Sequence, residues 1–125
     1  MTSNCVVLHG VRVLEVAREG PVLSTDRDAV TLIGDALGCQ ATVVLLPVLR
    51  LADAFFDLST RIAGEIVQKF VNYGTRLVIV GDISRHTEAS ESLRDFVYEV
   101  NRGDRIWFAP TREEAVKRID AELVT

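Results

Sequence analysis

Apolar residues along this chain follow two patterns, one typical of buried strands and one typical of amphipathic helices. Short runs rich in valine, leucine and isoleucine predict five strands. These runs are residues 5–8, 11–16, 42–46, 77–80 and 106–109. The first two runs flank His9-Gly10. Because glycine readily adopts the positive φ of a tight turn, they predict a β-hairpin.

Between and after the later strands, apolar residues recur at i, i+3, i+4 and i+7, which predicts four amphipathic helices. Two of them begin at pairs spaced like a capping box, Thr25 with Asp28 and Thr111 with Glu114. Glycines are expected to end the first three helices: Gly38, Gly74 and Gly103.

The element order is therefore β-β-α-β-α-β-α-β-α. From the third strand onward, strands alternate with helices of crossover length, which favours right-handed parallel connections. We predict an α/β fold with a mixed, mostly parallel five-stranded sheet and four helices. The length of 125 residues fits a single domain that spans residues 1–125.

Composition narrows the classes of partner. Hydrophobic residues make up 48% of the chain and charged residues 26%, which is typical of a soluble globular protein. The net charge of −4, with scattered basic residues, disfavours nucleic acid and membrane surfaces as partners. The first ten residues lack the features of a secretory signal, and the longest apolar run, 43–49, is too short to span a bilayer. We expect a cytoplasmic protein.

Cys5 and Cys39 each stand at the start of an apolar run, with no second cysteine nearby. This spacing fits reduced thiols buried in the core better than a disulfide or a metal clip. The two histidines, His9 and His86, also lack neighbouring ligands. No metal site and no cofactor is therefore predicted.

Polar residues collect where three strands are predicted to end. Ligands favour the crevice outside the carboxyl ends of parallel strands, and the segments 47–60, 81–90 and 109–111 leave the sheet at that edge. These segments contain Asp57, Ser59, Thr60, Asp82, Ser84, Arg85, His86 and Thr111. We expect a polar face there.

The turn that contains Asp57, Ser59 and Thr60 precedes the second helix, where side-chain oxygens accept hydrogen bonds from free N–H groups. An N-cap is the favoured interpretation. Ser59 and Thr60 are also phosphoacceptor candidates, because a phosphate at a helix N-terminus meets the positive end of the helix dipole. Asp57 would oppose such a phosphate by repulsion.

Phe55 and Phe56 are adjacent and should point in different directions. We expect one to anchor the core and the other to lie on the surface with Leu49 or Leu51, near Arg50 and Arg61, where an exposed aromatic suits a protein contact. The alternative is a satellite apolar cluster beneath the connection.

Asp82 follows Gly81 and is most simply a turn former, with ligand binding as the alternative. His86 lies among charged residues and is expected to be solvated. Ser59, His86 and Asp82 have the residue types of a catalytic triad, but the chain has no G-x-S-x-G elbow, no P-loop and no G-x-G-x-x-G pattern. No catalytic residue is predicted, and a protein that is not an enzyme is favoured.

Several runs resemble the bacterial DUF4180 family, a group of small proteins without an established function. They include Phe-Phe-Asp-Leu at 55–58, Ile-Ala-Gly-Glu-Ile at 62–66, Leu-Val-Ile-Val-Gly-Asp at 77–82 and Ser-Leu-Arg-Asp-Phe at 92–96. The element order is also similar to the STAS domain of anti-sigma-factor antagonists. That resemblance implies a turn before the second helix in which a partner kinase phosphorylates a serine. Here the turn reads Asp57-Leu58-Ser59-Thr60, with a leucine after the aspartate and no glycine behind the hydroxyls.

The residues and the resemblance together favour a STAS-like, non-catalytic regulatory module that binds a protein partner. The expected partner surface contains Phe55, Phe56, Asp57, Arg61, Asp82, Arg85 and His86. The alternative is a small-molecule-binding protein or enzyme that uses the strand-end crevice, with Asp57, Asp82 and His86 as its polar groups. A closed pocket there lined by Phe55, Phe56 and Trp107 would favour that alternative. A homodimeric structural protein is the third possibility.

Overall fold

The structure, a computed structural model, describes residues 3–123 and contains five strands and five α-helices within that range. The strands are β1 (Asn4–Leu8), β2 (Val11–Glu15), β3 (Val43–Pro47), β4 (Arg76–Val80) and β5 (Ile106–Ala109). The helices are α1 (Asp26–Gly38), α2 (Ile62–Tyr73), α3 (Ser84–Ala89), α4 (Glu91–Arg102) and α5 (Arg112–Leu123). Within residues 3–123, no helix is both long enough and apolar enough to cross a bilayer.

The strands form one sheet in the order β1-β2-β3-β4-β5. β1 is antiparallel to β2, and all later neighbours are parallel. The hairpin turns at His9 and Gly10, whose φ values of 51° and 83° are both positive, as a two-residue turn between twisted strands requires. The predicted mixed, mostly parallel sheet is confirmed.

Helices α1, α2 and α4 cover one face of the sheet, and α5 covers the other. Side chains alternate between the two faces along a strand. Leu14, Val44 and Leu77 therefore pack in the core of the three-helix face, whereas Val13 and Val43 pack in the core under α5. Each crossover joins neighbouring strands with the same hand, so each returns its helix to the same face. The helix that follows the last strand is free to cover the opposite face.

The ends of the helices match the predicted signals, and Gly103 directly follows the last residue of α4 as expected. Thr25 Oγ1 accepts a hydrogen bond from the Asp28 N–H at 3.2 Å, and the Asp28 carboxylate accepts one from the Thr25 N–H at 3.1 Å. This reciprocal pair confirms the capping box of α1. Thr111 Oγ1 accepts from the Glu114 N–H at 3.2 Å at the start of α5. Gly74, with φ of 69°, ends α2 in the left-handed conformation that glycine favours.

The sequence pattern predicts a loop between β4 and the next long helix, but the structure places α3 there. Its six residues include a single apolar side chain, Ala89, so no apolar stripe indicates a helix. The Ile83 carbonyl accepts hydrogen bonds from the N–H groups of His86 and Thr87, at 3.0 Å each. The number of helices is therefore five rather than the predicted four.

Cys5 and Cys39 form a disulfide, so the prediction of reduced thiols in the core is wrong. Their Cα atoms lie 6.4 Å apart, although 34 residues separate them in the sequence. Cys5 is exposed on β1, and Cys39 is half-buried directly after α1. The packing of α1 against the sheet brings its end beside the hairpin. That adjacency arises from the tertiary fold and has no signature in the spacing of the cysteines.

Replacing both cysteines, Cys5→Ser with Cys39→Ser, should lower the free energy of unfolding by about 2–4 kcal/mol, because the bond closes a long loop and restricts the unfolded chain. Urea denaturation of the oxidised wild type and the double variant measures the difference. A reductant should destabilise the wild type to the same extent and leave the variant unchanged. Equal midpoints for the oxidised wild type and the variant would contradict a stabilising role of the bond.

Candidate functional site

The connection from β3 to α2 is folded against the core by two buried phenylalanines. Phe55 is 0% exposed and Phe56 is 6% exposed, and their rings meet edge to face with centroids 5.1 Å apart. The expectation that one of them lies on the surface is therefore wrong. Leu51 is buried as well, whereas Leu49 is 62% exposed. Both rings are buried because 3-10 turns at 48–50, 53–56 and 58–60 coil the connection over the three-helix face.

Phe56 also joins this connection to the segment after β4. Its ring stacks on the His86 imidazole, with ring centroids 4.0 Å apart and an interplanar angle of 10°. Beside the stack, Arg85 donates a hydrogen bond to Asp53 at 3.3 Å. Both partners of that ion pair are more than three quarters exposed, so the pair adds little stability. The stacked rings are therefore the main contact between the two predicted parts of the partner surface.

Asp57 organises the turn that follows. One of its carboxylate oxygens, Oδ1, accepts a hydrogen bond from the Ser59 hydroxyl at 2.6 Å and another from the Ser59 N–H at 3.1 Å. The hydroxyl, followed by the N–H, lowers the pKa of Asp57 below its usual value, because both bonds favour the ionised carboxylate. Asp57 therefore caps the 3-10 turn at Leu58–Thr60 rather than the helix α2.

The Thr60 hydroxyl is held by main-chain atoms. Its oxygen lies 2.7 Å from the carbonyl oxygens of Ala54 and Asp57, to which the hydroxyl can donate, and it accepts from the Ile62 N–H at 3.3 Å. The favoured interpretation of these oxygens as the N-cap of α2 is therefore wrong, because Thr60 accepts from the first N–H group of α2 from one residue before the N-cap. The N-cap itself is Arg61, whose side chain makes no capping bond.

Arg61 has a backbone conformation that is uncommon for a residue with a side chain. Its φ is 66° and its ψ is 3°, in the left-handed region. Such a conformation costs about 1–3 kcal/mol for residues other than glycine and tends to occur at binding and switch sites. The exposed Arg61 is therefore held in a defined position by the turn before it and the helix after it.

The turn at 57–61 stands between two clefts. One cleft, of about 410 Å³, lies towards α3 and contains Phe56, Asp57 and His86 in its wall. The other, of about 610 Å³, runs along α2 and has Arg61 at its edge, and Leu58 lines both clefts. We call residues 53–61 together with Arg85 and His86 the ridge surface. Asp82, which the sequence places with these residues, lies outside both clefts.

Asp82 starts the turn that leads into α3. Its carboxylate accepts a hydrogen bond from the Ser84 N–H at 2.8 Å. This bond, with a contribution from the Ser84 hydroxyl, lowers the pKa of Asp82 below its usual value. The predicted role of Asp82 as a turn former is confirmed.

A third cleft, of about 450 Å³, lies at the carboxyl ends of β2, β3 and β4, on the face that α5 covers. We call it the strand-end cleft. Leu45, Pro47 and Val80 form its apolar wall, and Asp82 lies at its rim. The Arg112 guanidinium bridges the two carboxylate oxygens of Glu15 at 2.5 and 3.0 Å beside it. The polar edge predicted from the strand ends therefore contains a cleft.

The lining of the strand-end cleft differs from the aromatic lining that the sequence analysis tied to a ligand pocket. Phe55 and Phe56 lie in the core of the three-helix face. Trp107 is fully buried in the core under α5, where its Nε1 donates to the Gly103 carbonyl at 2.8 Å. Of the three polar residues proposed for that pocket, Asp82 lines the cleft, whereas Asp57 and His86 line the cleft beside the ridge surface.

Gly81 and Arg50 support the strand-end cleft, a role that the sequence pattern does not indicate for either residue. Gly81 has φ of 144°, and a Cβ there would lie 2.8 Å from the Val48 side chain, so glycine is needed for this close approach. Arg50 donates hydrogen bonds at 2.8 Å to the carbonyls of Ala17 and Pro21 and so fixes the loop after β2. The glycine after β4 is visible in the sequence, whereas the partners of Arg50 are 29 and 33 residues away.

The described part of the chain contains no group of three or more His, Cys, Asp or Glu side chains arranged to hold a metal ion. The Ser59 hydroxyl donates to the Asp57 carboxylate. The arrangement is that of a structured polar surface over buried aromatic rings.

These features define an α/β protein with a five-stranded mixed sheet, an ordered turn before its second helix and a cleft at its strand ends. The sequence model of the family described as "Domain of unknown function (DUF4180)" matches residues 8–119. The chain therefore belongs to the DUF4180 family, as its sequence runs predict. No curated protein and no solved structure matches the chain.

The charged residues beside His86 predict shifts of its pKa in opposite directions when each is removed. Burial, followed by the charge of Arg85, lowers the pKa of His86 below 6.5, whereas Asp53 acts to raise it. Arg85→Ala should therefore raise the pKa of His86, and Asp53→Ala should lower it further. NMR titration in a His9→Gln background, which leaves one imidazole to observe, measures both shifts.

The same shift sets the direction of the pH dependence of stability. Because the folded-state pKa of His86 lies below the unfolded value, the contribution of His86 to stability is fully present above pH 6.5 and is lost as the pH drops from there through the folded pKa. Lys117→Ala, on the opposite face, is the matched control and should leave the pKa of His86 unchanged. Shifts of the same sign in the Arg85 and Asp53 variants would contradict the geometry.

Proposed function

We propose that this protein is a non-catalytic regulatory module that binds a protein partner through the ridge surface. The observation that carries the proposal is the stack of Phe56 on His86, with ring centroids 4.0 Å apart. It joins two segments that are separate in the sequence into one continuous surface. A surface that is ordered before binding loses less conformational entropy when a partner docks.

The chemistry of the ridge surface supports a protein as its partner. Charged groups, Asp53, Asp57, Arg61 and Arg85, stand exposed around half-buried Leu58. Clefts on both sides give side chains of a partner places to insert, and arginines are frequent among the residues that dominate protein interfaces. The net charge of −4 favours protein over nucleic acid as the partner.

The element order supports a STAS-like regulatory role. In STAS antagonists, a serine in the turn before the second helix is phosphorylated, and Ser59 and Thr60 occupy the turn before α2 here. Ser59 is the better acceptor, because its hydroxyl donates to a side chain, whereas the Thr60 hydroxyl is held by main-chain carbonyls. A phosphate on Ser59 would remove its bond to Asp57 and set two negative groups side by side. The turn would rearrange and the partner surface would change with it.

The double variant Asp57→Ala with Arg61→Ala should weaken partner binding about tenfold or more, since it removes an acid and a base from the ridge surface. Affinity capture from lysate of the native host, with the captured protein identified and its dissociation constant measured, tests this. The matched control is Glu113→Ala with Lys117→Ala, which removes an exposed acid and base from α5. Circular dichroism checks that both variants are folded.

Identical partners and affinities for the wild type and the Asp57, Arg61 variant would overturn the proposal for this surface. The switch adds a separate requirement, which is phosphate on Ser59 in protein isolated from its native host, as detected by mass spectrometry. Its complete absence across growth conditions would remove the switch and leave the binding proposal to the capture experiment.

The strand-end cleft favours a second candidate function, the binding of a small molecule. Its volume of about 450 Å³ falls in the range of ligand sites, about 300–1,000 Å³, and an apolar wall with a few polar groups at the rim is typical of them. The wall is formed by Leu45, Pro47 and Val80, with the Glu15–Arg112 pair and Asp82 as polar groups. The position outside the ends of parallel strands is where α/β sheets bind ligands.

A ligand of this cleft should raise the melting temperature of the wild-type protein in a screen of small metabolites. Val80→Trp, which fills the cleft, should abolish the shift for the same compound, and Val22→Trp, at an exposed site, should preserve it. A shift that survives Val80→Trp would place the ligand elsewhere, and no shift with any metabolite class would count against this candidate.

A further inference from the structure

β1 is an edge strand whose outward main-chain groups can be assigned from the bonds of its neighbour. The Arg12 carbonyl accepts from the Thr42 N–H at 3.1 Å, and the Val16 N–H donates to the Leu45 carbonyl at 2.9 Å. Even-numbered residues of β2 therefore direct their main-chain groups towards β3. Because these directions alternate along a strand, the odd-numbered residues Val11, Val13 and Glu15 bond to β1.

The partners of those odd-numbered residues in the hairpin are Leu8, Val6 and Asn4. The N–H and C=O groups of the two remaining residues, Cys5 and Val7, consequently point away from the sheet. Two donors and two acceptors are thus presented along the edge of β1, ready to pair with another strand.

This edge lacks the devices that usually prevent strand pairing. β1 reads Asn-Cys-Val-Val-Leu, with no charged residue and no proline, and its five pairs with β2 are continuous, without a bulge. Natural sheets commonly use charges, prolines or bulges to protect such edges. Val7 is also 59% exposed. The edge therefore offers both free main-chain groups and an uncovered apolar side chain.

The opposite edge of the sheet is closed by comparison. The Gly81 N–H bonds the Ala109 carbonyl and the Leu77 N–H bonds the Arg105 carbonyl, so Ile106 and Phe108 direct their main-chain groups outward on β5. The Asn101 side chain of α4 accepts a hydrogen bond from the Phe108 N–H at 2.7 Å. A side chain thus covers one of the two outward donors of β5, whereas within residues 3–123 neither outward donor of β1 has such a partner.

We propose that β1 is a dimer interface, at which two copies of this chain pair antiparallel about a two-fold axis at Val6. In this register, Cys5 faces Val7 of the partner subunit, and Val7 faces Cys5 of the partner subunit. Each of these pairs exchanges two main-chain hydrogen bonds. The outward groups of both strands are all satisfied, and the two sheets join into one of ten strands.

A second copy fits this edge because the pairing is self-complementary, as a two-fold interface requires. The uncharged strand sets no like charges against each other. If the register of the two β1 strands shifted by two residues towards the turn, Cys5 of one copy would face His9 of the other. His9 lies outside the strand, with φ of 51°. The register centred on Val6 therefore uses the strand most completely.

The disulfide adds apolar surface at the same edge. It holds the end of α1 beside β1, with Cα atoms of the two cysteines 6.4 Å apart. Leu37, two residues before Cys39, is 57% exposed. Pairing of the two β1 strands would extend the sheet between the two α1 helices. Val7 and Leu37 of both copies would lose contact with water there.

Sedimentation equilibrium of the oxidised full-length protein tests the interface. The wild type should sediment as a dimer, at twice the 13.8 kDa of the chain. Val7→Pro removes an outward donor without disturbing the bonds between β1 and β2, since proline is tolerated where its nitrogen faces solvent, and should weaken dimerisation at least tenfold. Val7→Thr keeps the donor and the branched side chain and should remain dimeric.

A cysteine at the axis gives a second test that does not depend on the fold of the proline variant. Val6→Cys should form a covalent dimer on mild oxidation, because the two-fold axis sets residue 6 against its own copy at a Cα separation of about 4.5 Å. Leu8→Cys, which faces Asn4 of the partner subunit, should form none. A monomeric wild type, or a dimer indifferent to Val7→Pro and not crosslinked through residue 6, would overturn the proposal.

Discussion

The burial of Phe55 and Phe56 is the constraint on which the ridge surface depends. A connection of 14 residues between β3 and α2 would ordinarily be a mobile loop. Here its two aromatic rings lie in the core of the three-helix face, so the exposed residues around them are held in fixed positions. The turn at 57–61 and the stack on His86 both follow from that burial.

The order of the strands in the sheet determines where the ridge surface, the strand-end cleft and the edge strand β1 lie. Each strand lies beside the preceding one, so three helices share one face of the sheet. The ridge surface lies on that face. The strand-end cleft opens on the other face, which α5 covers. This order also leaves β1 at an edge, where the disulfide fixes it to α1. The ridge surface, the strand-end cleft and the edge strand therefore occupy separate parts of the molecule.

Local signals predicted most of the fold. The capping pair Thr25 and Asp28 starts α1, and the left-handed glycine Gly74 ends α2, both where expected, because caps and turns are determined by neighbouring residues. The disulfide could not be predicted, since it depends on where α1 ends relative to β1. Helix α3 was missed because its polar sequence has no apolar stripe.

The candidate site was predictable in its residues but not in its arrangement. The sequence identified the turn at Asp57 and the segment around His86, and the structure shows why they belong together. The contact between them depends on Phe56, which the adjacency of two phenylalanines could not assign to core or surface. The sequence also did not show that Asp82 lines a different cleft. Side chains alternate between the two faces along a strand, but this alternation does not continue into the turn after the strand, so the position of Asp82 could not be predicted.

The Phe56–His86 stack joins the two segments of the ridge surface and should couple their motions. Amide hydrogen exchange of a His86→Ala variant, read segment by segment, tests that coupling most directly. Loss of the stack should speed exchange, relative to the wild type, both in α3 and at the amides of Thr60 and Arg61, whose hydrogen bonds close the turn. Faster exchange confined to α3, with the amides of Thr60 and Arg61 unchanged, would contradict it.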